Sequence, residues 1–235
     1  MLSTQYFEIM DMVDMKLMSQ AFVKYAMGLV MMGLLLFLPA GTWNYWNAWV
    51  LLAALFGPML IAGVVMLVHS PDLLRKRLNS KEKEGDQKTV VALSGLMFLA
   101  SFILAGLDYR YAWLPLPSWI VWMATVLLIL SYLMYAEVMR ENAYLSRTVE
   151  VQENQKVVDT GLYGRVRHPM YTATIFLFLA MPLVLGSAIA FLVMLTYIPL
   201  IAARIRNEEK VLEEGLEGYI EYKQRVKYKV IPFIW

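Results

Sequence analysis

The sequence predicts an all-α polytopic membrane bundle of about six transmembrane helices, with a C-terminal helical hairpin and a charged tail on the cytoplasmic side. Three observations predict it. Of the 235 residues, 60% are hydrophobic and only 17% are charged, whereas a soluble domain is roughly 45–50% apolar. Several uncharged stretches reach the length of about 20 residues needed to cross a bilayer. The basic residues are also unevenly placed along the chain, as the positive-inside rule requires of a membrane protein.

The first twenty residues contain Glu8, Asp11, Asp14 and Lys16 and lack the compact apolar core of a cleaved signal peptide. Their Phe7, Met10, Val13, Leu17 spacing suits a short interfacial helix. Six apolar spans follow, at residues 22–40, 47–68, 89–107, 118–138, 170–185 and 188–205. The apolar run 169–203 is too long for one span, and Gly186-Ser187 in its middle is the natural turn. Pro182 and Pro199 are expected to kink the two helices of this hairpin.

With the N-terminus cytoplasmic, the loops at 41–46, 108–117 and 186–187 face outward. They hold one basic residue, Arg110, so 20 of the 21 Lys and Arg lie on the inner side. Trp43, Tyr45, Trp46, Trp49, Tyr109, Trp113 and Trp119 form an aromatic belt at the outer interface. Asp108 and Arg110 read as a local ion pair there, and His69 as a helix-capping residue. Three polar segments, 69–88, 139–168 and 204–235, remain on the inner side. The chain divides into N-terminal membrane helices with a cytoplasmic loop (1–138) and a C-terminal half (139–235), within one integrated membrane domain.

Composition narrows the chemistry. There is no Cys, which removes disulfides, thiolate metal sites and a Cys nucleophile. The two His are not at ligand spacing, so no metal is expected. Nucleic acid is not an expected partner either; a net charge of +2 is uninformative beside the location of the charges.

The most informative stretch is Gly161-Leu-Tyr163-Gly-Arg165-Val-Arg167-His168-Pro169-Met-Tyr171. Pro169 suits the first turn of a helix, which places Arg167 and His168 at an N-terminus whose N–H groups and dipole favour an anion. Arg165 reads as a lipid-phosphate contact. Arg167, His168 and Tyr171, the last one turn further in, read as a ligand site. A second cluster, Arg204-Ile-Arg-Asn-Glu208-Glu209, begins where the hairpin ends. A hairpin returns its ends to the same membrane face, so the two clusters are expected to meet. Arg204 and Glu208 share a helix face at i, i+4, and beyond an ordinary ion pair these groups could bind a carboxylate (Arg) and an ammonium or ribose hydroxyls (Glu). Glu213 and Glu214 read as a solvated face. Asn142, Arg147 and Thr148 precede a polar, strand-like stretch and read as a surface loop.

Together these motifs resemble the isoprenylcysteine carboxyl methyltransferase family, and more distantly the phosphatidylethanolamine N-methyltransferases. The matching elements are Gly161-x-Tyr163-x-x-Val-Arg167-His168-Pro169-x-Tyr171, a helical hairpin, Arg204-x-x-x-Glu208-Glu209, Gly218-Tyr219-x-x-Tyr222 and Ile231-Pro232, over about residues 135–235. Pro71-Asp-Leu-Leu-x-x-Arg77-Leu and Leu107-Asp-Tyr-Arg110 are similar to prokaryotic members. Sterol reductases share a related Arg-His-Pro region, but they are much longer and use NADPH.

The resemblance implies S-adenosylmethionine as methyl donor and a lipophilic or prenylated substrate that enters from the bilayer, most directly the carboxylate of a prenylcysteine-like compound. A lipid amine or small thiol is an alternative acceptor, and a non-catalytic lipid-binding or docking subunit an alternative class. In this reading Tyr163, His168, Tyr171 and Glu208 bind the donor, with His168 and Tyr171 at its methionine end and Glu208 on its ammonium or ribose. Arg167 or Arg204 orients the acceptor carboxylate. A carboxylate needs no general base, whereas an amine or thiol would need Glu208 or Glu209.

Overall fold

The computed structural model describes residues 15–78, 85–142, 144–145 and 151–235. Phe7, Met10, Val13, Arg147 and Thr148 therefore lie outside the described residues. Among the described residues nine helices form: α1 Met15–Ala40, α2 Trp46–His69, α3 Pro71–Leu78, α4 Gly85–Tyr111, α5 Ser118–Glu141, α6 Pro169–Val184, α7 Ala188–Met194, α8 Tyr197–Gly215 and α9 Tyr219–Arg225. There is no strand among the described residues; the expected strand-like stretch after residue 150 is irregular chain with one turn at residues 153–154.

Among the described residues five helical segments are long and apolar enough to cross a membrane, the fifth being α7 and α8 taken together as Ala188–Gly215. The shorter α6 is the sixth apolar helix. Its 16 residues span about 24 Å at 1.5 Å per residue. The chain is an integral membrane protein. Large apolar side chains, among them Phe22, Leu38, Ile61, Leu96, Met123 and Leu133, cover its outer surface, as lipid requires and water does not favour.

α6 is the hub. It packs against α2, α4, α5, α7 and α8, and ten of its 16 residues are buried, so its apolar pattern runs all round the helix rather than along one face. Close backbone approach supports this packing. At Gly106 a Cβ would lie 2.7 Å from the Leu36 carbonyl oxygen, so only glycine lets α4 pack this tightly on α1.

The hairpin turns at Gly186-Ser187 as its sequence indicates, and Ser187 caps α7 by accepting from the Ala190 amide at 3.2 Å. The prolines act differently from expectation. Pro182 sits in the last turn of α6. Pro199 lies in the first turn of α8, and the helix is interrupted just before it, between Met194 and Tyr197. A proline ring clashes with the carbonyl four residues earlier, here Leu195, so the span breaks there instead of bending at Pro199.

Two readings at the aromatic end are corrected. Tyr45 is wholly buried, donating to the Leu185 carbonyl at 2.7 Å and stacking on Tyr109; it pins α2 to the hairpin tip and is no part of a belt. Asp108 does not pair with Arg110. It turns inward, accepting from Ser187 Oγ at 2.5 Å and from the Leu114 amide at 2.8 Å, because a buried carboxylate finds donors there that an exposed pair would not provide. Arg110 instead stands over the Tyr111 ring. At the other end, His69 closes α2 with its ring Nδ1 at 3.2 Å from the Val65 carbonyl.

Candidate active site

The two polar clusters meet at the charged end of the bundle. α6 starts at Pro169 with His168 as its N-cap, and the strand of chain entering it is held by the C-terminal segment. Arg167 N–H donates to the Tyr228 carbonyl at 2.9 Å, and His168 N–H to the Lys229 carbonyl at 2.8 Å. Thr172, one turn along, donates to the Val230 carbonyl at 2.7 Å. The final residues close on themselves, with the Trp235 carbonyl accepting from the amides of residues 229, 230 and 231.

α8 supplies the acids. Adjacent residues on a helix point about 100° apart, so Glu208 and Glu209 face different surroundings. Glu209 is buried. One of its oxygens accepts from Arg167 Nε at 2.9 Å and lies 3.2 Å from His168 Nε2; the other meets Lys229 Nζ at 2.8 Å. Arg167, also buried, directs Nη1 to the carbonyls of Val226 (2.7 Å) and Lys227 (2.9 Å). The anions at the start of α6 are thus the protein's own carboxylates, stabilised by its dipole.

Glu208 turns the other way. It accepts the Tyr171 hydroxyl, which itself accepts from Arg204 Nε at 3.0 Å. The phenol therefore bridges the i, i+4 pair across two helices. The His168 ring stacks on Tyr171 at 5.7 Å, with Nδ1 3.8 Å from Glu208.

A third group comes from the junction after α5. Asn142 Nδ2 donates to the Tyr163 hydroxyl at 2.9 Å, and Tyr222 donates to the Tyr163 carbonyl at 2.8 Å. Burial pushes the Tyr163 phenol up to about 12, against a smaller opposing effect of the Asn142 bond. Glu141 accepts from the Leu162 amide at 3.0 Å. That carboxylate occupies the space beside Gly161, whose φ is +51° and where a Cβ would fall 1.4 Å from Glu141 Oε1.

These residues border a cavity that is open to solvent. Tyr163, Arg167, His168, Tyr171, Arg204 and Glu208 all line it. Glu209 is not among its lining residues; it sits behind His168 and Arg167. Asn142, expected as surface loop, also lines the cavity. The one hint of that was its place directly after the apolar helix α5. The role of Glu141 carried no signal, because a helix-terminal Glu is ordinary. Arg165 is exposed.

Comparison with known proteins agrees with the motifs. Over 91 residues the chain is 28% identical to the Delta(14)-sterol reductase TM7SF2 of Mus musculus. That stretch is 37% of this chain and 22% of the reductase, so the chain spans about a fifth of that protein's length. Residues 122–214, from the first turn of α5 to the last of α8, match the isoprenylcysteine carboxyl methyltransferase (ICMT) family, the membrane methyltransferase family that the Arg-His-Pro and Arg204-Glu208-Glu209 motifs resemble.

Proposed function

We propose that this protein is an S-adenosylmethionine-dependent methyltransferase that works at the membrane on a lipophilic acceptor, preferentially the carboxylate of a prenylcysteine-like compound. The observation that carries the proposal is the Arg204–Tyr171–Glu208 bridge on the wall of a cavity that opens at the end of the apolar bundle. It sets one cation and one carboxylate, four residues apart, against a ligand that would carry both signs of charge. When bound, S-adenosylmethionine supplies an electrophilic methyl group on a sulfonium.

The residues present fit such a donor: a carboxylate for its ammonium or ribose hydroxyls (Glu208), an imidazole and a phenol beside it (His168, Tyr171), and apolar and aromatic walls (Leu212, Leu216, Tyr222). Donor binding falls to residues of the 139–235 half. Arg204 orients the acceptor carboxylate with its planar fork of donors. That acceptor is already a nucleophile, so the chain needs only to position it and exclude water. Arg167 and Glu209 act one step back: they fix His168 and the C-terminal segment and leave the contact with acceptor to Arg204. The charge distribution supports a cavity on the cytoplasmic side with both termini, since 20 of 21 basic residues would then lie inside.

The test is incubation of the purified protein with methyl-labelled donor and either a farnesylated cysteine analogue bearing a free carboxylate or its amide. Label released by mild base from the first and none in the second is the expected result. Label in a base-stable amine product from lipid extract, with none on the carboxylate, would overturn the acceptor; no label transferred to anything would overturn the enzyme.

A further inference from the structure

Arg204, Glu208, Leu212 and Leu216 all line the cavity, and at four-residue intervals they follow one another down one face of α8 into its C-cap. The stripe is charged at one end and apolar at the other. Tyr219 continues the apolar end, packed with Leu216, Tyr222 and Val226, and it too lines the cavity. Its hydroxyl is anomalous there. The residue is 4% exposed, yet the hydroxyl has no hydrogen-bond partner among the described residues, whereas those of Tyr163, Tyr171 and Tyr222 are all bonded. Buried polar groups are rarely left unpaired, and one that borders a cavity is explained by what the cavity receives. Burial, with the charges of Glu209 and Glu208, raises the phenol's pKa, so the group keeps its proton and can donate. Tyr219 lies beyond residue 214, where the family match ends.

We infer that Tyr219 binds the adenosine portion of the methyl donor, so that the donor lies along α8 with its base at the Leu212–Leu216 end and its charged end at Glu208. A purine is a flat, largely apolar ring carrying acceptor nitrogens, which an apolar floor bordered by a hydroxyl donor recognises. The arrangement leaves Arg204, at the opposite end of the stripe, for the acceptor. This inference rests on the methyltransferase reading and adds to it the direction in which the donor lies.

The test is calorimetric binding to wild type and Tyr219→Phe in detergent, with S-adenosylhomocysteine and with 5′-methylthioadenosine, which lacks the amino-acid end. Thermal unfolding without ligand serves as a control. The variant should bind both ligands about tenfold more weakly, equivalent to about 1.4 kcal/mol, with a thermal midpoint equal to or above that of wild type because an unpaired hydroxyl is gone. A loss confined to S-adenosylhomocysteine would reverse the orientation. Unchanged affinity for both, failure of wild type to hold 5′-methylthioadenosine, or a lowered midpoint in the variant would each refute Tyr219 as the nucleoside contact while leaving donor binding by wild type intact. Wild type that binds neither ligand would remove the donor reading itself.

Discussion

Arg167→Met separates a frame-holding arginine from a substrate-holding one. The side chain makes three hydrogen bonds, to Glu209 at 2.9 Å and to the carbonyls of residues 226 and 227 at 2.7 and 2.9 Å. Hydrogen bonds to charged groups contribute about 1.5–3 kcal/mol each, but they are not additive here, since Glu209 keeps Lys229 and His168 as partners. Breaking a buried pair costs about 3–5 kcal/mol, and this is the better guide. For a chain of this size each kcal/mol moves the midpoint by about 2–4 °C, so thermal unfolding in detergent should shift down by roughly 6–20 °C. Arg167→Lys should recover at most part of this, because one ammonium cannot serve a carboxylate and two carbonyls in that geometry. A Met variant that unfolds within about 2 °C of wild type but has lost methyl transfer would refute the reasoning and return Arg167 to the acceptor.

Arg204→Lys should keep donor affinity and lower turnover on a carboxylate acceptor tenfold or more, about 1.4 kcal/mol in the barrier; near-normal turnover would remove the clamp. Glu208→Gln removes the charge that faces the cavity and should weaken donor binding at least tenfold by calorimetry, with little change in fold, since an amide can still accept from Tyr171. Gly161→Ala should lower the thermal midpoint, because both φ +51° and the Glu141 carboxylate oppose a Cβ; Glu141→Ala in the same chain should restore only part of the loss, as the dihedral penalty remains. The Tyr163 phenol titrates at about 12 when folded against about 10 unfolded. Its contribution is therefore complete below pH 10 and lost as pH rises through 12, by at most about 2.7 kcal/mol, and the stability gap between wild type and Tyr163→Phe should narrow from pH 8 to pH 11.

The spans were legible because the lipid requirement is written in composition and length: each of the six predicted segments overlaps an apolar helix. The meeting of Arg167-His168 with Glu208-Glu209 was legible for a topological reason, since a hairpin has nowhere else to bring its ends. The partition of labour between the two acids was not. Neighbouring glutamates read alike in a sequence, and only the rotation of α8 sends one to the cavity and the other to Arg167 and Lys229. The saturation of Arg167 by carbonyls 226 and 227 was hidden for a similar reason, as backbone acceptors leave no mark on residue identity. Asp108 and Tyr45 misled because interfacial residue types serve equally as exposed belts and as buried staples, and burial at a loop is decided by tertiary packing.

The clamp between Arg167 and residues 226–230 also has a bearing on how the protein is made. Val226 follows Arg167 by 59 residues. At about 5–20 residues per second of synthesis, roughly 3–12 s pass between the emergence of the arginine and that of the carbonyls that will receive it. Until those carbonyls are made, the guanidinium at the mouth of the hairpin lacks its partners in the tail. A cation there resists being drawn into hydrocarbon and so favours keeping that end of the hairpin out of the bilayer. The same side chain would then serve twice, first as a brake on insertion and later, once the tail arrives, as its anchor.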